Sequence, residues 1–214
     1  LDIAAKDSGT RSMPGDIQIP ETSSLEKQPS LKLLWLAAGI VILDQLTKLL
    51  IKGVPFLGIE GLPYGYSTNL IGNILRLTYI ENPGIAFGIN IPAMKIFFSL
   101  FSVVASIGIF LYLKKNIIKL PKWERIALVM IMGGAIGNLI DRCFYGVLFG
   151  QESLFYGHVV DFLDFGYKTN WWPIFNVADS AVSVGVTILV LVLMKKRPVP
   201  EAHPPEIPTV GTQG

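Results

Sequence analysis

Apolar residues along the chain gather into four blocks, at 31–51, 92–113, 123–140 and 175–194, with polar segments between them. Each is about 20 residues long, the length a helix needs to cross a hydrocarbon core of about 30 Å. The interval 52–91 is rich in Gly, Pro and Asn, and its run Leu75-Arg76-Leu77-Thr78-Tyr79-Ile80 alternates as a half-exposed strand does. The pattern therefore predicts an all-α membrane protein of four transmembrane helices with a small β element outside the membrane. Residues 141–174 form a second loop on the side of that element. Residues 1–30 carry Pro14, Pro20 and Pro29 among polar side chains and are expected to be disordered or, since the sequence opens on Leu, fusion-derived. The Pro-rich tail 198–214 is expected to be disordered, which leaves 31–197 as one domain.

Composition agrees with the pattern. The 214 residues are 16% charged, against roughly a quarter in soluble domains. Mean hydropathy is +0.51. A net charge of +2 makes no case for a nucleic-acid partner. Cys143 is the single cysteine, so no internal disulfide or CxxC motif is possible. His158 and His203 do not make a zincin site, and HExxH, Walker A and GxSxG patterns are absent. Lys and Arg cluster beside the helix ends at Lys27, Lys32, Lys114, Lys115, Lys119, Lys122, Arg125 and Lys195 to Arg197, whereas the opposite loops hold few. Cationic flanks mark the cytoplasmic side, so both termini are expected there, with the β element and the 141–174 loop outside. Trp171 and Trp172 suit an interfacial aromatic belt.

Carboxylates within such helices are costly, and each needs a reason. Asp44 and Lys48 lie four apart on one face of the first helix and are placed to pair. In the third, Gly133 and Gly137 permit close helix approach, and Asn138 and Asp141 share a face near the outer surface. Arg142 follows at once and is placed to hold Asp141 ionised. In the fourth, Asn176 is placed to cap the helix, with Asp179 favourable in its first turn. Asp161 sits in the apolar run Val159-Val160-Asp161-Phe162-Leu163-Asp164-Phe165, without an adjacent cation. Two nearby carboxyls sharing a proton would suit aspartic proteolysis: one activates water while the other polarises the carbonyl and protonates the leaving amine. On physics alone Asp161, Asp164 and Asp141 all compete to be the partner of Asp179.

Five ordered segments carry a resemblance. Asp44-Gln45-Leu46-Thr47-Lys48, Glu81 to Gly88, Gly133 to Arg142, Val159-Val160-Asp161-Phe162 and Phe175-Asn176-Val177-Ala178-Asp179-Ser180 are similar to the successive motif blocks of the lipoprotein signal peptidases. The resemblance covers roughly 31–197. It implies a bacterial inner-membrane aspartic endopeptidase, free of metal and cofactor, that removes the signal peptide of diacylglyceryl-modified prolipoproteins just before the lipidated cysteine. Its partners would be that lipid-modified substrate and membrane lipid. It further implies that Asp161 and Asp179 are catalytic. Asn82, Asn138, Arg142 and Asn176 would line the site, Asp44 and Lys48 would support it, and Asp141 and Ala178 fall within the same blocks. Gly84, Ala86 and Phe87 match a turn and strand of the outer β element, which with its loop would close over bound substrate.

One departure from the family pattern is the enlarged stretch between Arg142 and Val159, rich in Phe and Tyr. It is expected to form an aromatic flap on the membrane surface, whose deletion over 146–155 would change substrate affinity more than the fold. Two other classes of function compete. A proton relay through Asp44, Asp141 and Asp179 is opposed by the lack of an internal repeat and of a second polar layer. A non-catalytic scaffold is opposed by the five-block match. GxGD and YD motifs of other intramembrane aspartic peptidases are absent, and no Ser/Lys dyad presents itself.

Overall fold

The computed structural model describes residues 31–84 and 92–195. The expectations for 1–30, for Ala86 and Phe87 and for the 198–214 tail lie outside those residues. Four helices are long and apolar enough to cross a membrane. They are α1 (Leu34–Lys52), α2 (Pro92–Asn116), α3 (Lys122–Ile140) and, last in the chain, Val177–Lys195. Their ends follow local chemistry. Gly53 stops α1 at φ 77°, returning its N–H to the Leu49 carbonyl. A side chain there would meet the backbone of Gly61. Pro92 opens α2, where its missing N–H is not needed.

Outside the helices the chain forms β1 (Gly53–Val54) paired with β2 (Ile59–Glu60), then β3 (Ser67–Ile71) and β4 (Leu75–Asn82). The predicted alternating strand is β4. The 141–174 segment, expected as a loop, contributes more than that. A π-helical turn, Asp141–Tyr145, leads into the short α4 (Gly146–Leu148), and Val159–Tyr167 forms a long strand, β5. β5 is central in the antiparallel order β3-β4-β5-β6, with β6 at Asn170–Trp171. Its continuous apolar run follows from burial on both faces: Val159, Val160, Asp161 and Phe162 are all buried. The fourth long helix, Val177–Lys195, is α5.

Two clusters hold the molecule together. Ala37, Leu113, Val129 and Met132 join α1, α2 and α3. Tyr79, Tyr145, Val160 and Phe162 join the sheet to the ends of α1 and α3. The second takes in the start of the enlarged stretch. Cys143 and Tyr145 are buried, and Phe149 packs edge-on against Tyr145 with ring centroids 5.2 Å apart. Phe144, Val147, Leu148, Leu154 and Phe155 are exposed. Deleting 146–155 would therefore take Phe149 from this cluster and otherwise remove mainly exposed residues.

Glycines set how closely the helices meet. A Cβ on Gly133 would lie 3.1 Å from the Ala37 Cα of α1, and one on Gly137 would lie 2.7 Å from Asp44 Oδ2. On the opposite side a Cβ at Gly134 would run into the Ala178 carbonyl of α5. The predicted small-residue face is real, and it seats α3 between α1 and α5. Gly134→Val is therefore expected to lower the unfolding temperature sharply, since overpacking costs about 1–3 kcal/mol or more. Gly39→Ala, with open space around it, should change little. Thermal unfolding in detergent checks both; a Gly134→Val protein as stable as the parent would contradict this packing.

Candidate active site

The polar residues of α1, α3, β5 and α5 converge on one buried network. Lys48 and Asp44 are wholly buried and pair at 2.8 Å, as their spacing predicts. Lys48 also bonds Asp141 Oδ2 at 2.8 Å and donates to Asn138 Oδ1 at 2.9 Å. The counter-ion of Asp141 is thus Lys48 rather than the neighbouring Arg142 that the sequence suggested. Chain adjacency misled there, because the residues at 141 and 142 point to different faces of a helical turn. The Arg142 guanidinium reaches back toward the Asn138 carbonyl at 3.5 Å and over the Phe98 ring.

Each carboxylate of the triad also fixes backbone. Asp44 Oδ1 accepts the Ala178 N–H in the first turn of α5 (2.9 Å), and Asp141 Oδ2 accepts the Val160 N–H of β5 (3.2 Å). One buried cation on α1 thereby ties down both segments that carry the candidate acids. Ala178 contributes this N–H and a side chain small enough for the approach of Gly137. Gln45 was not singled out from sequence, yet it donates to Asp44, to Asp141 and to the Gly137 carbonyl, and accepts from Tyr145 Oη. A polar amide between two intramembrane charges was the available signal for it.

Asp179 sits at the third position of α5, as predicted, with Asn176 as the cap. Asn176 Oδ1 accepts the Asp179 N–H at 2.9 Å, and the Asn176 N–H points back to Asp179 Oδ2 at 3.4 Å. Asn138 Nδ2 donates to Asp179 Oδ1 at 2.7 Å. Lys48 has no lone pair to offer, so Asn138 must face it with oxygen and present its NH2 to Asp179. Asn176 Nδ2 then reaches Asp161 Oδ1 at 2.7 Å and Asn138 Oδ1 at 3.1 Å. The cap of α5 is thus bonded to both Asp161 and Asp179.

Asp161 is 2% exposed, on β5 opposite Ile80. Burial and then the Asp179 carboxylate push its carboxyl up to about 7, against hydrogen bonds from Asn176 and Asn82 and the attraction of Lys48. Asn82 ends β4, and its Oδ1 also accepts the Gly84 N–H at 2.9 Å, which fixes the turn at Gly84 (φ 84°). The three acids that the sequence left in competition differ in their hydrogen bonds. Asp141 is held by Lys48 and Gln45, while Asp164 is gripped by Arg76 Nε and Nη2 (2.9 and 2.6 Å) and by Thr78 Oγ1 (2.9 Å). Among the described residues the hydrogen bonds to Asp161 and Asp179 come from amides. Every expected site residue among the described residues therefore joins this network or adjoins it.

Removing Lys48 leaves two buried carboxylates without their cation. Lys48→Met should cost about 3–5 kcal/mol, read as a drop in unfolding temperature, with partial recovery in Lys48→Met/Asp141→Asn. Unchanged stability in the single variant would contradict the buried triad.

Comparisons with known proteins give the family. The family model Peptidase_A8, described as signal peptidase (SPase) II, matches residues 36–195. A lipoprotein signal peptidase of Halalkalibacterium halodurans is 40% identical over 162 residues, 74% of this chain and 89% of that one. One from Syntrophus aciditrophicus is 35% identical over 175 residues, 80% and 97% of the two chains. Among solved structures, a bacterial membrane enzyme determined by the in meso method at 1.9 Å resolution superposes with a TM-score of 0.60 at 29% identity, covering 78% of this chain and 94% of its own. With four helices able to cross a membrane and a family match running from the first of them to the last, this chain belongs to the signal peptidase II family.

Proposed function

We propose that this multi-pass membrane protein cleaves diacylglyceryl-modified prolipoproteins just before the lipidated cysteine, with Asp161 and Asp179 as the catalytic carboxyls. The observation that carries the reading is an asymmetry among the acids: Asp44, Asp141 and Asp164 are each in an ion pair, whereas among the described residues Asp161 and Asp179 accept hydrogen bonds from amides, with Arg142 acting on them only at longer range. Two neighbouring carboxyls outside any close ion pair are disposed to share a proton.

The environments divide the labour. Asp179 lies in the positive first turn of α5 and accepts two N–H groups, which suits the charged member. Asp161 holds the proton at neutral pH and below. Asp179 takes a proton from the attacking water as Asp161 hydrogen-bonds the scissile carbonyl. Collapse of the tetrahedral intermediate breaks the C–N bond, and the leaving amine of the lipidated cysteine takes up a proton from the dyad. Asn138 and Asn176 hold the two carboxyls in register. Arg142, within electrostatic reach of Asp161 and Asp179, is placed to steady the charge of the pair. Asn82 and Gly84 shape the backbone edge that substrate meets. The Lys and Arg distribution supports both termini in the cytoplasm and the site at the outer face of the inner membrane, where a lipid-anchored substrate presents its scissile bond.

The test is cleavage by the purified chain of a prolipoprotein with and without the diacylglyceryl group, with products read by mass spectrometry. Cutting before the modified cysteine alone is expected; no cutting of the modified substrate would sink the reading. The sign of the pH response follows from Asp161. Its carboxyl is protonated below about 7 and loses the proton above, leaving two carboxylates and no acid. The rate should thus fall about tenfold per unit on the alkaline side. A rate flat from about pH 6 to 9 would remove Asp161 as the proton donor.

A further inference from the structure

Glu81 directly precedes Asn82 in β4, and its carboxylate gathers partners from α1, from β4 and from the entry to β5. Oε1 accepts from the Lys52 ammonium and from the Tyr79 hydroxyl, and Oε2 faces His158 Nδ1 at 3.8 Å. We propose that Glu81 is a positioning residue for the cleavage, clamping the end of β4 so that Asn82 meets Asp161. The proposal rests on the peptidase reading above.

The strand itself creates the need for a clamp. Its register with β5 shifts between Leu77 and Ile80, and beyond that break the pairs Ile80↔Asp161, Glu81↔Val160 and Asn82↔Val159 hold the end of β4. So short a ladder, followed at once by the Gly84 turn, is prone to fray, and fraying would carry away the hydrogen bond from Asn82 to Asp161. Neighbouring side chains of a strand point to opposite faces, so Glu81 acts on the dyad through the backbone of Asn82 rather than by contact. Its anchor is rigid. Lys52 follows Lys48 by one helical turn on the same face of α1. Lys48 ties down the segments that carry Asp161 and Asp179, and Lys52 ties down the one that carries Asn82. The enlarged 143–158 stretch covers this second tie. Lys52 Nζ lies 4.5 Å from the Phe149 ring centroid and donates to Gln151 Oε1 at 3.3 Å, while Glu152 Oε1 is 3.8 Å from His158 Nε2. The Lys52 and Glu81 side chains are left 5% and 12% exposed, and a pair so covered is screened much less than one on an open surface. Burial and the bond to Glu81 hold the Tyr79 hydroxyl above its usual range, so it remains a donor. The rival reading is an ion pair that only stabilises the sheet, and the Arg76–Asp164 pair near the other end of β4 supplies the comparison.

The experiment measures kcat, KM and the pH–rate profile on a diacylglyceryl-modified prolipoprotein for Glu81→Ala, Glu81→Gln and Lys52→Met. Asp164→Asn is the control, and the unfolding temperature of each variant is recorded. The bond from Asn82 draws the pKa of Asp161 down, so its loss moves the alkaline limb of the profile to higher pH. Glu81→Ala and Lys52→Met should each lower kcat about tenfold with KM little changed, and should raise the limb by about half a unit. Glu81→Gln should keep most of kcat and the parental limb, because its amide oxygen still accepts from Lys52 and Tyr79. A direct effect of charge would instead lower the limb in both Glu81 variants and raise it in Lys52→Met, which would overturn the proposal. Parental kcat and limb in Glu81→Ala and Lys52→Met, with only the unfolding temperature reduced, would overturn it in favour of the structural pair. An equal fall of kcat in Asp164→Asn would overturn it as well. Should Glu81→Ala not fold, Lys52→Met and Glu81→Gln carry the same contrast. An intact enzyme that left the substrate uncut would fail earlier, at the peptidase reading itself.

Discussion

The structure hangs on one buried cation. Lys48 lies among three helices with no solvent exposure, and its ammonium has three donors for three acceptors: Asp44, Asp141 and Asn138. A charge in such surroundings is tolerated only when fully paired. Here the pairing also does geometric work, since each acceptor passes the constraint outward. Asp44 holds the first turn of α5, Asp141 holds the backbone of β5, and Asn138 is turned so that its amide meets Asp179. The glycines of α3 are the packing counterpart, for without them neither Asp44 nor Ala178 could come so close.

Stability and chemistry therefore share residues. Asn176 caps α5, which any helix emerging near a membrane surface needs, and the same side chain bonds Asp161. Asp179 completes the cap and is also the charged member of the proposed pair. A strand supplies one carboxyl and a helix the other, and the two elements are locked by the isolated bridge between Leu163 and Phe175. Rigid elements on both sides leave little freedom for the carboxyls to drift, as a reaction dependent on sub-ångström placement requires.

The four helices were legible because a bilayer demands unbroken apolar length, and no other pressure produces such blocks. Asp44 with Lys48 and Asn176 with Asp179 were legible because helical spacing is short-range. β4 was legible from its alternation. β5 was not, because a strand buried on both faces loses the alternation that marks strands, and an apolar run of nine residues reads equally as loop or buried segment. The pairing of Asp141 with Lys48 was also out of reach. It joins residues 93 apart in the chain, whereas Arg142 next door offered a local and mistaken partner. Asp141, Asp161 and Asp164 are told apart only in tertiary structure, where Asp141 and Asp164 are ion-paired and Asp161 is hydrogen-bonded to an amide. The enlarged 143–158 stretch was legible in part: aromatic residues mark a core as readily as a membrane-facing flap, and here Tyr145 and Phe149 turn inward while Phe144 and Phe155 stay exposed.

The central proposal is that the two acids outside the close ion pairs perform the chemistry while the ion-paired acids hold the frame. Cleavage of a diacylglyceryl-modified prolipoprotein by Asp161→Asn, Asp179→Asn and Asp164→Asn, each shown to be folded by its unfolding temperature, tests it most directly. The account predicts a loss of about a thousandfold or more for the first two and near-parental cleavage for Asp164→Asn. Substantial cleavage by folded Asp161→Asn or Asp179→Asn would contradict it.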